Sequence, residues 1–88
     1  RSRGGQSAPM IALPPAASAR FDALRRWRGE LARTQSVPAY VIFTDATLRA
    51  IALEVPADLA ALATIGGVGV AKLERYGEAV LATLAEAD

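Results

Sequence analysis

From Ser18 onward, large apolar residues recur at helical intervals. At about 100° per residue, Phe21, Leu24, Trp27 and Leu31 fall within roughly 120° of arc, which predicts a helix over about 19–34. Asp22, Arg25, Arg26, Gly29, Glu30 and Arg33 take its other side. Ser18 is the expected N-cap, its hydroxyl accepting from a free N–H of the first turn. Val37-Pro38 ends the helix, because the residue before a proline avoids the α region. Ala39-Tyr40-Val41-Ile42-Phe43 has the β-branched and aromatic character of a strand, yet the chain offers no second strand to pair with it. The segment therefore reads as an extended piece or a helical turn, with Val41, Ile42 and Phe43 plugging the core.

Thr44-Asp45 opens the next helix, either residue being able to cap it; Leu48, Ile51, Ala52 and Val55 form its stripe, and Pro56 closes it. Asp58 is the expected cap of a short helix carrying Leu59, Leu62 and Ile65. Gly66-Gly67-Val68-Gly69 is a tight turn. A helix over about 70–76 follows, with Val70 and Leu73 inward, and Gly77 stops it as a C′ residue. A last helix over about 78–86 carries Val80, Leu81 and Leu84. The expected fold is all-α, a compact bundle of five short helices over 18–88.

Residues 1–17, RSRGGQSAPMIALPPAA, lack periodicity and read as a flexible interdomain linker. With an Arg and not a Met at position 1, the chain reads as a piece of a longer protein. Apolar residues make up 52% of the 88, but 20 of them are Ala, so about 26 large side chains must supply the core. A chain of this size buries only about 60–65% of the surface its unfolded form exposes, so its stability is modest. The absence of Cys and His removes disulfides, thiolate chemistry, His-based triads and an ordinary zinc site. No run approaches the roughly 18–20 apolar residues that span a bilayer, and no stretch is laid out as a signal peptide. These features fit a cytoplasmic, monomeric, non-catalytic module without a membrane partner.

The net charge of +1 hides an asymmetry: residues 1–36 sum to +5 and residues 37–88 to −4. The basic end suits a polyanion, the acidic end a basic protein surface, and both also serve as solvated faces. Two features could carry chemistry. The glycine turn resembles the helix-hairpin-helix element of DNA repair proteins, in which N–H groups around Gly69 would meet a phosphate without reading sequence. The alternative is that the glycines only let two helices approach. The second feature is Tyr40 beside the Arg-rich first helix: an aromatic among cations can stack on an unpaired base, or it can be a half-buried core edge. A phosphate loop, G-x-x-x-x-G-K-[ST], is not present. The carboxylate pairs Asp45 with Glu54 and Glu74 with Glu78 lack an evident pocket, so no catalytic residue is assigned.

Three blocks then carry a resemblance: Phe21-x-x-Leu24-Arg25-x-Trp27-Arg28-x-x-Leu31-Ala32, Val37-Pro38-Ala39-Tyr40-Val41-Ile42-Phe43-Thr44-Asp45-Ala46-Thr47-Leu48, and Ile65-Gly66-Gly67-Val68-Gly69-x-x-Lys72-Leu73-Glu74-Arg75-Tyr76-Gly77. In this order and spacing, over about residues 18–87, they resemble the HRDC domain, the helicase-and-RNase-D C-terminal domain, most like those of bacterial RecQ-type DNA helicases. The resemblance implies a five-helix bundle that serves an ATP-dependent helicase as an auxiliary module. Such a module holds no cofactor, ATP and magnesium belonging to the parent. It binds single-stranded or branched DNA weakly, in recombination and repair at the bacterial nucleoid. The family's aromatic falls on Tyr40 and its motif cations on Lys72 and Arg75. Basic residues that some relatives carry around that motif are replaced here by Ala71 and Glu78.

The site expected for DNA is therefore Tyr40, Arg25, Arg26, Lys72, Arg75 and Gly69. The alternative is a regulatory module that docks on the helicase core or another domain and restrains DNA binding. Its contact residues would be Asp58, Glu74, Glu78, Glu86 and Asp88. A nuclease-associated HRDC domain would keep the fold and change the parent to RNA processing.

Overall fold

A computed structural model describes residues 13–87. Five helices follow one another: α1 (Pro15–Gln35), α2 (Ala39–Ile42), α3 (Asp45–Glu54), α4 (Leu59–Ala63) and α5 (Val70–Ala87). No described residue is in a strand. No helix among the described residues is long and apolar enough to cross a membrane.

The helix count matches the sequence expectation, but the partition differs. α1 begins at Pro15, not at Ser18, because Pro14 and Pro15 start it themselves. A proline at the first helical position has φ set for the helix, and the N–H it lacks would have had no partner anyway. Ser18 lies inside the helix and donates its N–H to the Pro14 carbonyl at 2.8 Å. Residues 15–17, taken from sequence as the end of the linker, are thus helical, and Ala17 is buried. Residues 1–12 of that segment lie outside the described residues. α1 ends where Ser36 takes a left-handed conformation (φ 57°, ψ 44°) and Val37 donates to the Ala32 carbonyl, closing the last turn.

Residues 39–43 resolve as one helical turn followed by an extended Phe43. Ile42 and Phe43 fill the core as expected, whereas Val41 turns to solvent. Ala39, one turn ahead of Phe43, packs against the same core, so the inner side of the short turn is formed by 39, 42 and 43, while Tyr40 and Val41 lie on its outer side. Thr44 caps α3 by accepting from the Thr47 N–H at 3.3 Å. Asp58 caps α4 by accepting from the Ala61 N–H at 2.8 Å.

Gly77 does not stop a helix. α5 runs 18 residues through it. The glycine is buried, and a Cβ there would come within 2.7 Å of Leu59 Cδ2, so its role is to let α4 lie close against α5. In a helix interior the glycine costs about 0.8–1.0 kcal/mol relative to alanine. Val70, expected inward, is exposed because it sits on the outer side of the first turn of α5; Val68, just ahead of it, is buried instead.

α3 lies antiparallel to α1. Arg28 reaches Asp45 at the start of α3, while Arg20 donates from Nε to the Ala52 carbonyl near its end, at 2.9 Å. α5 is also antiparallel to α1, since Tyr76 reaches Gln35 at the end of α1 whereas Glu86 and Ala87 share a groove with Ala23. Leu24, Ile42, Phe43, Leu48, Ile51, Leu62 and Val80 are fully buried between these helices. Three rings tie the layers together. Trp27 of α1 lies 6.1 Å from both Phe43 and Tyr76, and Phe43 lies 5.9 Å from Tyr76, the last two pairs edge to face.

Candidate nucleic-acid interface

Tyr40 occupies the second position of α2 and is 68% exposed, between a half-buried Ala39 and the exposed Val41. The ring is therefore a surface aromatic and not a half-buried core edge. α2 holds it there because Ile42 and Phe43 anchor the short turn from below, and because Arg28 fixes the chain that follows. Arg28 is 8% exposed. Its Nη1 donates to the Phe43 carbonyl at 2.8 Å and its Nη2 pairs with Asp45 Oδ1 at 2.7 Å. Its Nε is buried without a hydrogen-bond partner among the described residues.

Lys72 and Arg75 stand on the first two turns of α5 beside the same aromatic cluster. Lys72 Nζ lies 5.4 Å from the centroid of Phe43, three positions after Tyr40, and the Arg75 guanidinium lies 5.3 Å from that of Tyr76. The start of α5 is set by the glycine turn. Gly67 has φ 91°, and a Cβ on it would collide with the Thr47 hydroxyl, which donates to the Gly66 carbonyl at 3.5 Å. Close approach thus explains Gly67. It does not explain Gly69, where a Cβ would meet nothing within 4 Å and whose carbonyl accepts from Leu73 at 2.8 Å as α5 begins.

The expected cations do not share one face. Arg25 stacks on Phe21 at 5.6 Å from its centroid, on the side of α1 that meets α3. Arg26 lines a groove of about 500 Å³ between α1 and α5, together with Trp27, Glu30 and Glu86. The acids of the alternative reading are dispersed as well. Asp58 is occupied as a cap, Glu86 lies in the α1–α5 groove, and Asp88 is outside the described residues. Glu74 and Glu78 are both exposed and one turn apart, because α5 is continuous through Gly77. Sequence reasoning passed over Arg28, although Leu24 and Leu31 bracket it on the apolar stripe; a charge at i+4 from a core leucine was the available signal. It also passed over Arg49, which lies 5.6 Å from the Phe21 centroid.

The family model of the HRDC domain matches residues 17–84, nearly the whole of this bundle. The chain belongs to the HRDC family. Among solved structures, HRDC domain 3 of the RecQ protein of D. radiodurans superimposes with a TM-score of 0.77. That match has 38% identity and covers 80% of this chain and 92% of the other. ATP-dependent DNA helicase UvrD2 of Mycobacterium tuberculosis is 57% identical over 58 residues, covering 66% of this chain and 8% of the relative. ATP-dependent DNA helicase RecQ of Haemophilus influenzae is 38% identical over 66 residues, covering 75% of this chain and 11% of the relative. The chain thus spans about a tenth of the length of these curated relatives. The UvrD2 likeness widens the comparison beyond the RecQ type suggested by the Val37–Leu48 block. This HRDC domain is of the kind carried by RecQ and UvrD-type helicases.

Proposed function

We propose that this HRDC domain is an auxiliary DNA-binding module of an ATP-dependent DNA helicase. It contacts single-stranded or branched DNA weakly and thereby modulates the parent's DNA binding and unwinding. The observation that carries the reading is Tyr40, a large ring held 68% in solvent on a short helix whose other end is buried. A ring so placed offers a stacking platform to any unpaired base, and Lys72 and Arg75 on the start of α5 supply charge for the phosphates. The N–H groups of the first turn of α5, after Gly69, add to the positive end of that helix.

Magnesium and ATP would be served by other parts of the parent.

The test is a titration of labelled oligothymidine with this chain at two salt concentrations. Weak binding is expected, with log affinity falling by about 0.7 per phosphate contact per log unit of salt. No binding at millimolar protein and low salt rules the reading out. A second reading, docking on a basic protein surface, is favoured by the exposed Glu74 and Glu78 on one helix face. Deleting the domain from its parent separates the two: weaker DNA binding supports the first, tighter binding the second.

A further inference from the structure

Phe21 of α1 is half-buried and carries two guanidinium groups. Arg25 of α1 and Arg49 of α3 each lie 5.6 Å from its centroid. The two charges are therefore no more than about 11 Å apart. Neither has a carboxylate partner among the described residues. The acid one turn ahead of Arg49 is Asp45, and it is paired with Arg28. The acid one turn ahead of Arg25 is Asp22, which forms no ion pair with it. Two like charges are thus held on one ring, with Asp45 drawn to Arg28 and Asp22 paired with neither, and they leave a local excess of positive charge. The ring stabilises each cation through its face, and an anion between or beside them would remove their mutual repulsion.

We infer that the Phe21–Arg25–Arg49 cluster is a phosphodiester contact for nucleic acid, separate from the Tyr40 end of the domain. The pair meets the backbone alone, without stacking a base, because the Phe21 ring is half-buried and already in contact with both cations. The planar guanidinium forks suit phosphate oxygens, and two of them around one ring can engage neighbouring phosphates on a strand. Along the α1–α3 seam, the Arg28–Asp45 pair stands between this cluster and α2. DNA held at Tyr40 would thus gain a sequence-independent grip further along the seam. The inference rests on the reading of the domain as a DNA-binding module.

Nuclear magnetic resonance on the 88-residue chain tests it, with a thymidine 20-mer as the probe and poly-glutamate as a second anion. Oligothymidine should shift the signals of Phe21, Arg25 and Arg49 as well as those of Tyr40, Lys72 and Arg75. The first group should still move in Tyr40→Ala. In an Arg25→Gln, Arg49→Gln double variant, the salt slope of log affinity should fall by about 1.4, two contacts at about 0.7 each. The Arg25→Lys, Arg49→Lys variant keeps both charges and should keep the slope, which also covers the case of a poorly folded glutamine variant. A still Phe21 group beside a moving Tyr40 group overturns this inference and leaves the Tyr40 reading intact. Stillness in both groups overturns both. Loss of the Phe21 shifts in Tyr40→Ala overturns the separateness of the two sites. Equal shifts with poly-glutamate at matched charge reassign the cluster to acidic proteins.

Discussion

Arg28 and Asp45 form an ion pair of 2.7 Å in which the two partners are unequally buried: the arginine side chain is 9% exposed and the aspartate 59%. The arginine also donates to the Phe43 carbonyl at 2.8 Å, a group left without a helical partner where α2 ends. It therefore holds α1, the end of α2 and the start of α3 together from below, while Tyr40 is presented above.

The unequal burial predicts unequal substitutions. Arg28→Ala leaves a buried carbonyl unpaired and a hole in the packing, costing about 2–3 kcal/mol. Asp45→Asn removes only a solvent-screened partner and should cost no more than about 1 kcal/mol. Urea unfolding followed by circular dichroism measures both.

Tyr40 and Phe43 lie three positions apart and should behave oppositely. Phe43→Ala opens the centre of the ring cluster, at about 3–5 kcal/mol, a large part of the roughly 5–15 kcal/mol that a small domain has in total. Tyr40→Ala should change stability by less than about 0.5 kcal/mol, as befits an exposed site. Thermal unfolding of the two variants distinguishes them directly.

The glycine turn gives a second contrasting pair. Gly67→Ala puts a methyl into the Thr47 hydroxyl at a positive φ of 91° and should destabilise by at least about 1 kcal/mol. Gly69→Ala meets nothing within 4 Å, so stability should stay within about 0.5 kcal/mol of the parent. Chemical denaturation of each variant reads the difference.

Tyr76 donates to Gln35 Oε1 over 3.4 Å, a long bond at the edge of the core. Tyr76→Phe keeps the edge-to-face contacts with Trp27 and Phe43 and should therefore cost no more than about 0.5 kcal/mol by thermal unfolding, at the low end of the net worth of a hydrogen bond.

Much of this architecture was readable from local chemistry. Thr44 and Asp58 act as caps where a side-chain oxygen precedes a helical pattern, and Leu24, Leu48, Ile51, Leu62, Val80 and Leu84 are buried where periodicity put them. The misreadings came from contacts distant in sequence. Gly77 looked like a helix stop because the conformational freedom of glycine is visible in sequence, whereas the approach of Leu59 is not. Ser18 looked like a cap, but the two prolines before it start the helix unaided. The expected DNA site was legible as residue types and not as a surface. Helical spacing alone could not show that Arg25 faces Phe21 and Arg49 while Arg26 faces the α1–α5 groove. Arg28 carries a charge on the apolar stripe, and the Phe43 carbonyl and the Asp45 carboxylate that receive it there are not visible in that spacing.

The most direct measurement is fluorescence anisotropy of a labelled thymidine oligomer titrated with the wild-type chain and with Tyr40→Ala at low salt. A stacked base is worth about 1–3 kcal/mol, so the variant should bind roughly 5- to 150-fold more weakly while its melting temperature is unchanged. Equal affinities for the two proteins, or no binding by either, would contradict the assignment of Tyr40 as the point where this domain meets DNA.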